Sequence, residues 1–352
     1  MRTLTRIAAA VTLGATALYA LGMGVYAVAS TRAEVPSSPQ SAREADEAVN
    51  RLGVSSEYPF AHGFTATPHG RMHYVEAGTG PPVLLLHGNS TWSYLYRHLM
   101  VGLSGRARLV APDLIGFGLS TKLPRAQDYS VQGHIDDVCA LLDALDLRDL
   151  TLVVQDWGGP IGLGVLLRKP ERVRGLVVLN TFGFSPRMPL AAAGPSLALR
   201  AARVPLMGEQ LVQGLGVLQR VSVRPSLRGD ETEAARAWRA YSQVQGSWRE
   251  RAGTLAFERL VPDEGSDAAA ELMQSAGQVL RARSPRALIV WGMADRFFGR
   301  SALEEWKLRL PAADVVELQG VGALIQEEAP EALIEALIRY LDATSPGPAS
   351  ES

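Results

Sequence analysis

Apolar residues fall in two kinds of pattern along most of this chain. Short unbroken runs end at a turn or a reactive side chain, and longer stretches between them repeat at helical spacing. Pro82–Leu86 is such a run, stopping at His87-Gly88, and reads as a buried strand. Arg108–Ala111, Leu150–Gln155, Leu176–Leu179, Arg286–Trp291 and Asp314–Leu318 read the same way. Val131–Leu145 sets Val138, Leu141, Leu142 and Leu145 on one helical face, and Pro330–Leu341 predicts a closing helix. Strands alternating with helices imply an α/β fold, a mostly parallel sheet with helices on both faces. From Phe182 to about Leu280 the alternation stops, leaving only amphipathic segments such as Glu233–Gln245. That stretch predicts a helical cap inserted between two strands of one sheet.

The N-terminus follows a different pattern. Ile7–Ser30 is 24 residues without a charge, preceded by Arg2 and Arg6. That exceeds the roughly 20 apolar residues that cross a bilayer, so it predicts a transmembrane anchor. Ala27-Val28-Ala29 offers the alternative of a cleaved signal sequence and a secreted product. Ser, Pro, Ala and Glu dominate Thr31–Asn50, as in a solvated linker. The expected organisation is an anchor or signal at 1–30, a linker at 31–55, a core at 56–182 and 281–345, a cap at 183–280 and a disordered tail at 346–352. The 35 basic and 36 acidic residues leave no field to attract nucleic acid, and no metal cluster or phosphate loop implies a cofactor. The one cysteine, Cys139, lies in an apolar stretch and reads as a core thiol.

Candidate chemistry concentrates at Leu152-Val153-Val154-Gln155-Asp156-Trp157-Gly158-Gly159, where a strand runs into a glycine-opened helix with a reactive side chain at the turn. An aspartate in that place can also be a simple helix cap. Four further segments decide between the two readings. His87-Gly88-Asn89-Ser90-Thr91-Trp92, Ala111-Pro112-Asp113-Leu114-Ile115-Gly116-Phe117-Gly118, Trp291-Gly292-Met293-Ala294-Asp295 and Gln326-Glu327-Glu328-Ala329-Pro330 occur in the same order as in the haloalkane dehalogenases. The chain from about Tyr58 to Leu341 resembles that family of the α/β-hydrolase fold. Asn89 together with Asp295 is similar to its third subgroup, which includes the β-lactone decarboxylases of long-chain olefin synthesis. The cap stretches Leu211–Leu215 and Leu255-Ala256-Phe257 also resemble those decarboxylases.

The resemblance implies Asp156 as nucleophile, Asn89 and Trp157 as halide and oxyanion donors, and Asp295 as the acid that orients a histidine. A carboxylate ionised at neutral pH can attack an sp³ carbon without an activating base, giving an alkyl ester. The substrate implied is a small apolar haloalkane or β-lactone. The histidine position, aligned on Gln326-Glu327-Glu328, is Ala323, and no histidine follows His134. Alkylation needs no base, whereas hydrolysis of the ester does, so turnover is expected to be impaired. Three alternatives accompany this reading: a β-lactone decarboxylase, whose ester collapses without water; a membrane-tethered pseudoenzyme; and an epoxide hydrolase, against which Asn89 argues.

Overall fold

The computed structural model describes residues 38–183, 200–261, 267–283 and 285–344, together with Gly14 and Gly22. Eight strands form one sheet in the order β1-β2-β4-β3-β5-β6-β7-β8. They are β1 Ala61–Thr67, β2 Gly70–Ala77, β3 Pro82–Leu86, β4 Arg108–Pro112, β5 Leu150–Asp156, β6 Val173–Thr181, β7 Arg286–Gly292 and β8 Asp314–Leu318. β1 and β2 are antiparallel to their neighbours; β3 to β8 run parallel.

The unbroken apolar runs have a direct physical reason. Successive side chains point to opposite faces, and here both faces are covered. Leu84, Leu86, Leu152, Val154, Val178 and Ile289 enter one core, while Val83, Leu85, Val153, Val177, Leu288 and Val290 enter the other. Helices Val131–Ala144 and Gly158–Arg168 pack together beside the sheet, and helix Pro330–Thr344 packs on helix Arg97–Leu103.

Three expectations need correction. Among the described residues no helix is long and apolar enough to cross a membrane. This overturns the N-terminal membrane helix, and with it the membrane as partner and the membrane-anchored localisation. A helical span needs about 20 apolar residues in one continuous helix to satisfy its backbone in lipid, and none of the described helices supplies that. Ile7–Ser30 itself lies, apart from Gly14 and Gly22, outside the described residues, as does the tail at 346–352. Second, the stretch read as a linker contains a helix, Ala42–Leu52. Ser41 caps its first turn, Gly53 ends it at φ +73°, and Ala45, Val49 and Leu52 are buried. Third, helix Asp267–Arg283 packs on helix Gly158–Arg168, so most of it belongs to the layer covering the sheet instead of the cap.

Between β6 and β7 the described residues are helical, with helices Val217–Ser222, Glu231–Gln243 and Ala252–Leu260. A buried polar latch joins them to the core. Arg97 grips both oxygens of Glu327, at 2.5 and 2.8 Å, and Tyr241 donates its hydroxyl to the same carboxylate.

Candidate active site

The C-terminal ends of parallel strands are where an open α/β sheet exposes backbone groups and receives loops, and ligands bind there. Loops after β3, β5, β7 and β8 deliver Asn89, Trp157, Asp295 and Ala323, and Asp156 is the last residue of β5.

Asp156 has φ +49°, a left-handed conformation that costs a non-glycine residue energy unless its surroundings enforce it. The surroundings are tight. A Cβ on Gly88 would lie 2.2 Å from that of Asp156, and one on Gly159 would lie 2.0 Å from the Thr181 hydroxyl. Thr181 in turn donates that hydroxyl to the Asp156 carbonyl. The turn lifts the side chain clear of the sheet, and its Oδ1 accepts backbone N–H bonds from Asn89, at 3.3 Å, and from Trp157. Burial pushes the carboxyl up to about 7, although the two N–H bonds pull it down; nearby Asp295 adds a smaller upward push. Burial therefore works against the ionised carboxylate that the sequence suggested.

Trp157 lies against the same cavity with its ring stacked on Phe257, 4.7 Å between centroids and 9° between planes. Asn89 borders the cavity too, but its amide is engaged. Nδ2 donates to the Thr254 carbonyl at 3.2 Å and to Glu258 Oε1 at 2.8 Å, both on the cap. Asp295 is fixed by Asn180 Nδ2 at 2.8 Å and by the Phe297 N–H at 2.7 Å. Asn180 is itself clamped to the Gly292 backbone at 2.7 and 3.0 Å. Burial raises Asp295 to about 6, against those hydrogen bonds.

Ala323 borders two cavities. One, of about 70 Å³, also meets Asn89, Asp156, Trp157 and Glu258; the other, of about 230 Å³, meets Asp295 and Glu328. Ala323 is thus a residue that both the cavity of Asp156 and the cavity of Asp295 share. His87 does not substitute for a base. Its Nε2 accepts the Leu114 N–H at 2.9 Å and its Nδ1 donates to the Gly88 carbonyl at 2.8 Å, so both ring nitrogens hold loops in place.

Two residues at the site escaped the sequence reading as functional candidates. Asn180, near the end of β6, carried no reactive group that would mark it, and its role appears only where it meets Asp295. Glu258 carried no motif signal, since a lone glutamate in an amphipathic cap segment reads as solvated; the fold turns it inward.

Comparison with known proteins agrees with the geometry. Residues 81–330 match the alpha/beta hydrolase fold family. The chain is 34% identical over 291 residues to a cis-3-alkyl-4-alkyloxetan-2-one decarboxylase of Shewanella oneidensis, covering 81% of this chain and 90% of that one. It is 37% identical over 262 residues to a haloalkane dehalogenase of Mycolicibacterium paratuberculosis, covering 72% and 82%. Among solved structures, the haloalkane dehalogenase DatA of Agrobacterium tumefaciens superposes with a TM-score of 0.71 at 28% identity, covering 81% and 97%.

Proposed function

The chain belongs to the haloalkane-dehalogenase-like family of the α/β-hydrolase fold, and from that membership we propose that it forms an alkyl ester on Asp156 by displacing a leaving group from an sp³ carbon. The supporting observation is the placement of Oδ1 between the backbone N–H groups of Asn89 and Trp157. Those bonds assign Oδ1 as the future ester carbonyl oxygen and leave Oδ2 as the attacking atom. The leaving group departs into the small cavity bordered by Trp157 and by the Asn89–Glu258 pair.

With alanine at 323 and both nitrogens of His87 engaged, no imidazole activates water against this ester. Losing a general base costs about 10²–10⁴ in rate. A halide substrate would then alkylate the protein and stall. A four-membered β-lactone avoids the difficulty. Attack of Oδ2 at the ring carbon bearing oxygen breaks the C–O bond and frees a carboxylate. Loss of CO₂ from that carboxylate moves its C–C pair into a new C=C bond, and the bond to Oδ2 breaks. Asp156 returns as carboxylate with no water and no net proton consumed. The similarity to oxetanone decarboxylases, matching as it does over most of both chains, favours this substrate.

Intact-protein mass spectrometry tests the proposal. Incubation with a 1-bromoalkane should add one alkyl mass, incubation with a cis-β-lactone should release alkene and CO₂, and Asp156→Ala should abolish both. The same adduct mass in Asp156→Ala would place the chemistry on another residue.

A further inference from the structure

Helix Ala252–Leu260 carries a carboxyl group that an apolar cap helix has no packing reason to hold. Glu258 is buried, as are Thr254, Leu255, Ala256 and Phe257 around it. It borders the small cavity together with Asp156, and its Oε1 accepts the Asn89 amide at 2.8 Å. The sequence separation from Asn89 is 169 residues, so the fold alone brings the pair together.

Two buried carboxyls facing one small cavity do not both ionise freely; one retains a proton. The hydrogen bonds identify which. Asp156 accepts two backbone N–H groups aimed at Oδ1, and these favour its charge. Glu258 accepts the Asn89 amide, while the Arg203 guanidinium nearby donates to the Glu258 main-chain carbonyl, at 3.2 Å. Among the described residues, Asp156 and Arg203 are the charged groups that act on it. Burial first, and the Asp156 charge second, raise Glu258 to about 8; Asn89 and Arg203 pull the other way. Near neutral pH the cavity thus pairs an ionising nucleophile with a protonated acid.

An O–H donor beside the departing group serves oxygen and halide differently. Halide is so weak a base that a proton donor adds little, and an ionised glutamate would repel it. An oxygen leaving a strained ring accumulates charge on a good hydrogen-bond acceptor, which the acid stabilises as the bond breaks. We propose that Glu258 is the leaving-group acid of this site and selects a strained-ring oxygen electrophile, a β-lactone, over an alkyl halide. The inference rests on Asp156 as nucleophile. In ring opening, Oδ2 forms the new C–O bond, the electron pair of the broken ring bond stays on the ring oxygen, and Glu258 donates a hydrogen bond to it. Glu258 keeps its proton, so the freed carboxylate can lose CO₂.

The test compares single-turnover rates with a cis-β-lactone and a 1-bromoalkane across pH 5 to 10. Wild type should show a lactone rate that rises through about pH 7 and falls beyond about 8. Glu258→Gln should lose the alkaline fall. Glu258→Leu, which removes the donor, should slow the lactone by about 10²–10³, the effect of deleting one such donor. Both variants should alkylate faster than wild type with bromoalkane at pH 9, where Glu258 is charged beside the departing bromide. A 1,2-epoxide run in parallel should follow the lactone if ring oxygen is the feature recognised. Equal slowing of lactone and bromoalkane in Glu258→Leu, or a wild-type lactone rate flat above pH 8, would overturn the assignment; the second needs no variant to fold. Absence of reaction with either substrate in wild type would instead reject Asp156 as nucleophile, and the role of Glu258 with it.

Discussion

Asp156 is held in a rare backbone conformation, beside glycines that leave no room for a methyl group, with one oxygen already bonded to two N–H groups. Those features prepare geometry but not charge, because burial keeps the carboxyl protonated up to about pH 7. The protonated acid is a poor nucleophile. Alkylation by a bromoalkane should therefore rise about tenfold per pH unit below 7 and flatten as pH 7.5 is reached. Adduct formation by mass spectrometry from pH 5 to 7.5 checks this; a rate constant across that range would mean an ordinary carboxylate. At this scale the sequence was legible where chemistry and motif coincide. Asp156 and Trp157 are chain neighbours, and Asn89 follows the His-Gly that ends β3. Glu258 was illegible because nothing near it in sequence distinguishes an inward glutamate from a solvated one. Its meaning comes from Asn89, which it meets only after the cap folds over the sheet.

Elements with two covered faces or strong caps could be read from pattern alone. β3, β5 and β7 are unbroken apolar runs, and the structure gives them bounds within a residue of those read. β1 and β2 were not read as strands. They are antiparallel strands at one side of the sheet, and β1 has no fully buried position, so no apolar signal marks it. Helix Ala42–Leu52 did leave a trace, with Ala45, Val49 and Leu52 at i, i+4 and i+7 between Ser41 and Gly53. Its Ser, Pro and Glu content outweighed that spacing. The loop after β8 is the element whose composition decides turnover. Ala323 borders the cavities of both Asp156 and Asp295, and Asn180 and Phe297 already hold Asp295 in place. Ala323→His should give multiple turnovers of a bromoalkane, as followed by halide release, because an imidazole there can be oriented by Asp295 and activate water. Ala323→His combined with Asp295→Asn should lose much of that gain. No gain in the single variant would show that position 323 does not reach the ester.

The whole molecule is arranged so that one end of one sheet collects the site. Loops after five parallel strands and two cap helices meet around a cavity of about 70 Å³, and the Arg97–Glu327–Tyr241 latch fixes cap to core beside the Ala323 loop. Burial at this end of the sheet strengthens polar contacts and raises Asp156, Glu258 and Asp295. The central claim is that this site makes an ester on Asp156 readily and hydrolyses it poorly. Halide released per protein molecule measures both halves at once, with the full chain, excess 1-bromoalkane and pH 7.5, alongside the mass of the protein. The account predicts a burst ending near one halide per molecule and a persistent alkyl adduct located on Asp156. Halide release that continues linearly for many equivalents, with the protein mass unchanged, would contradict it.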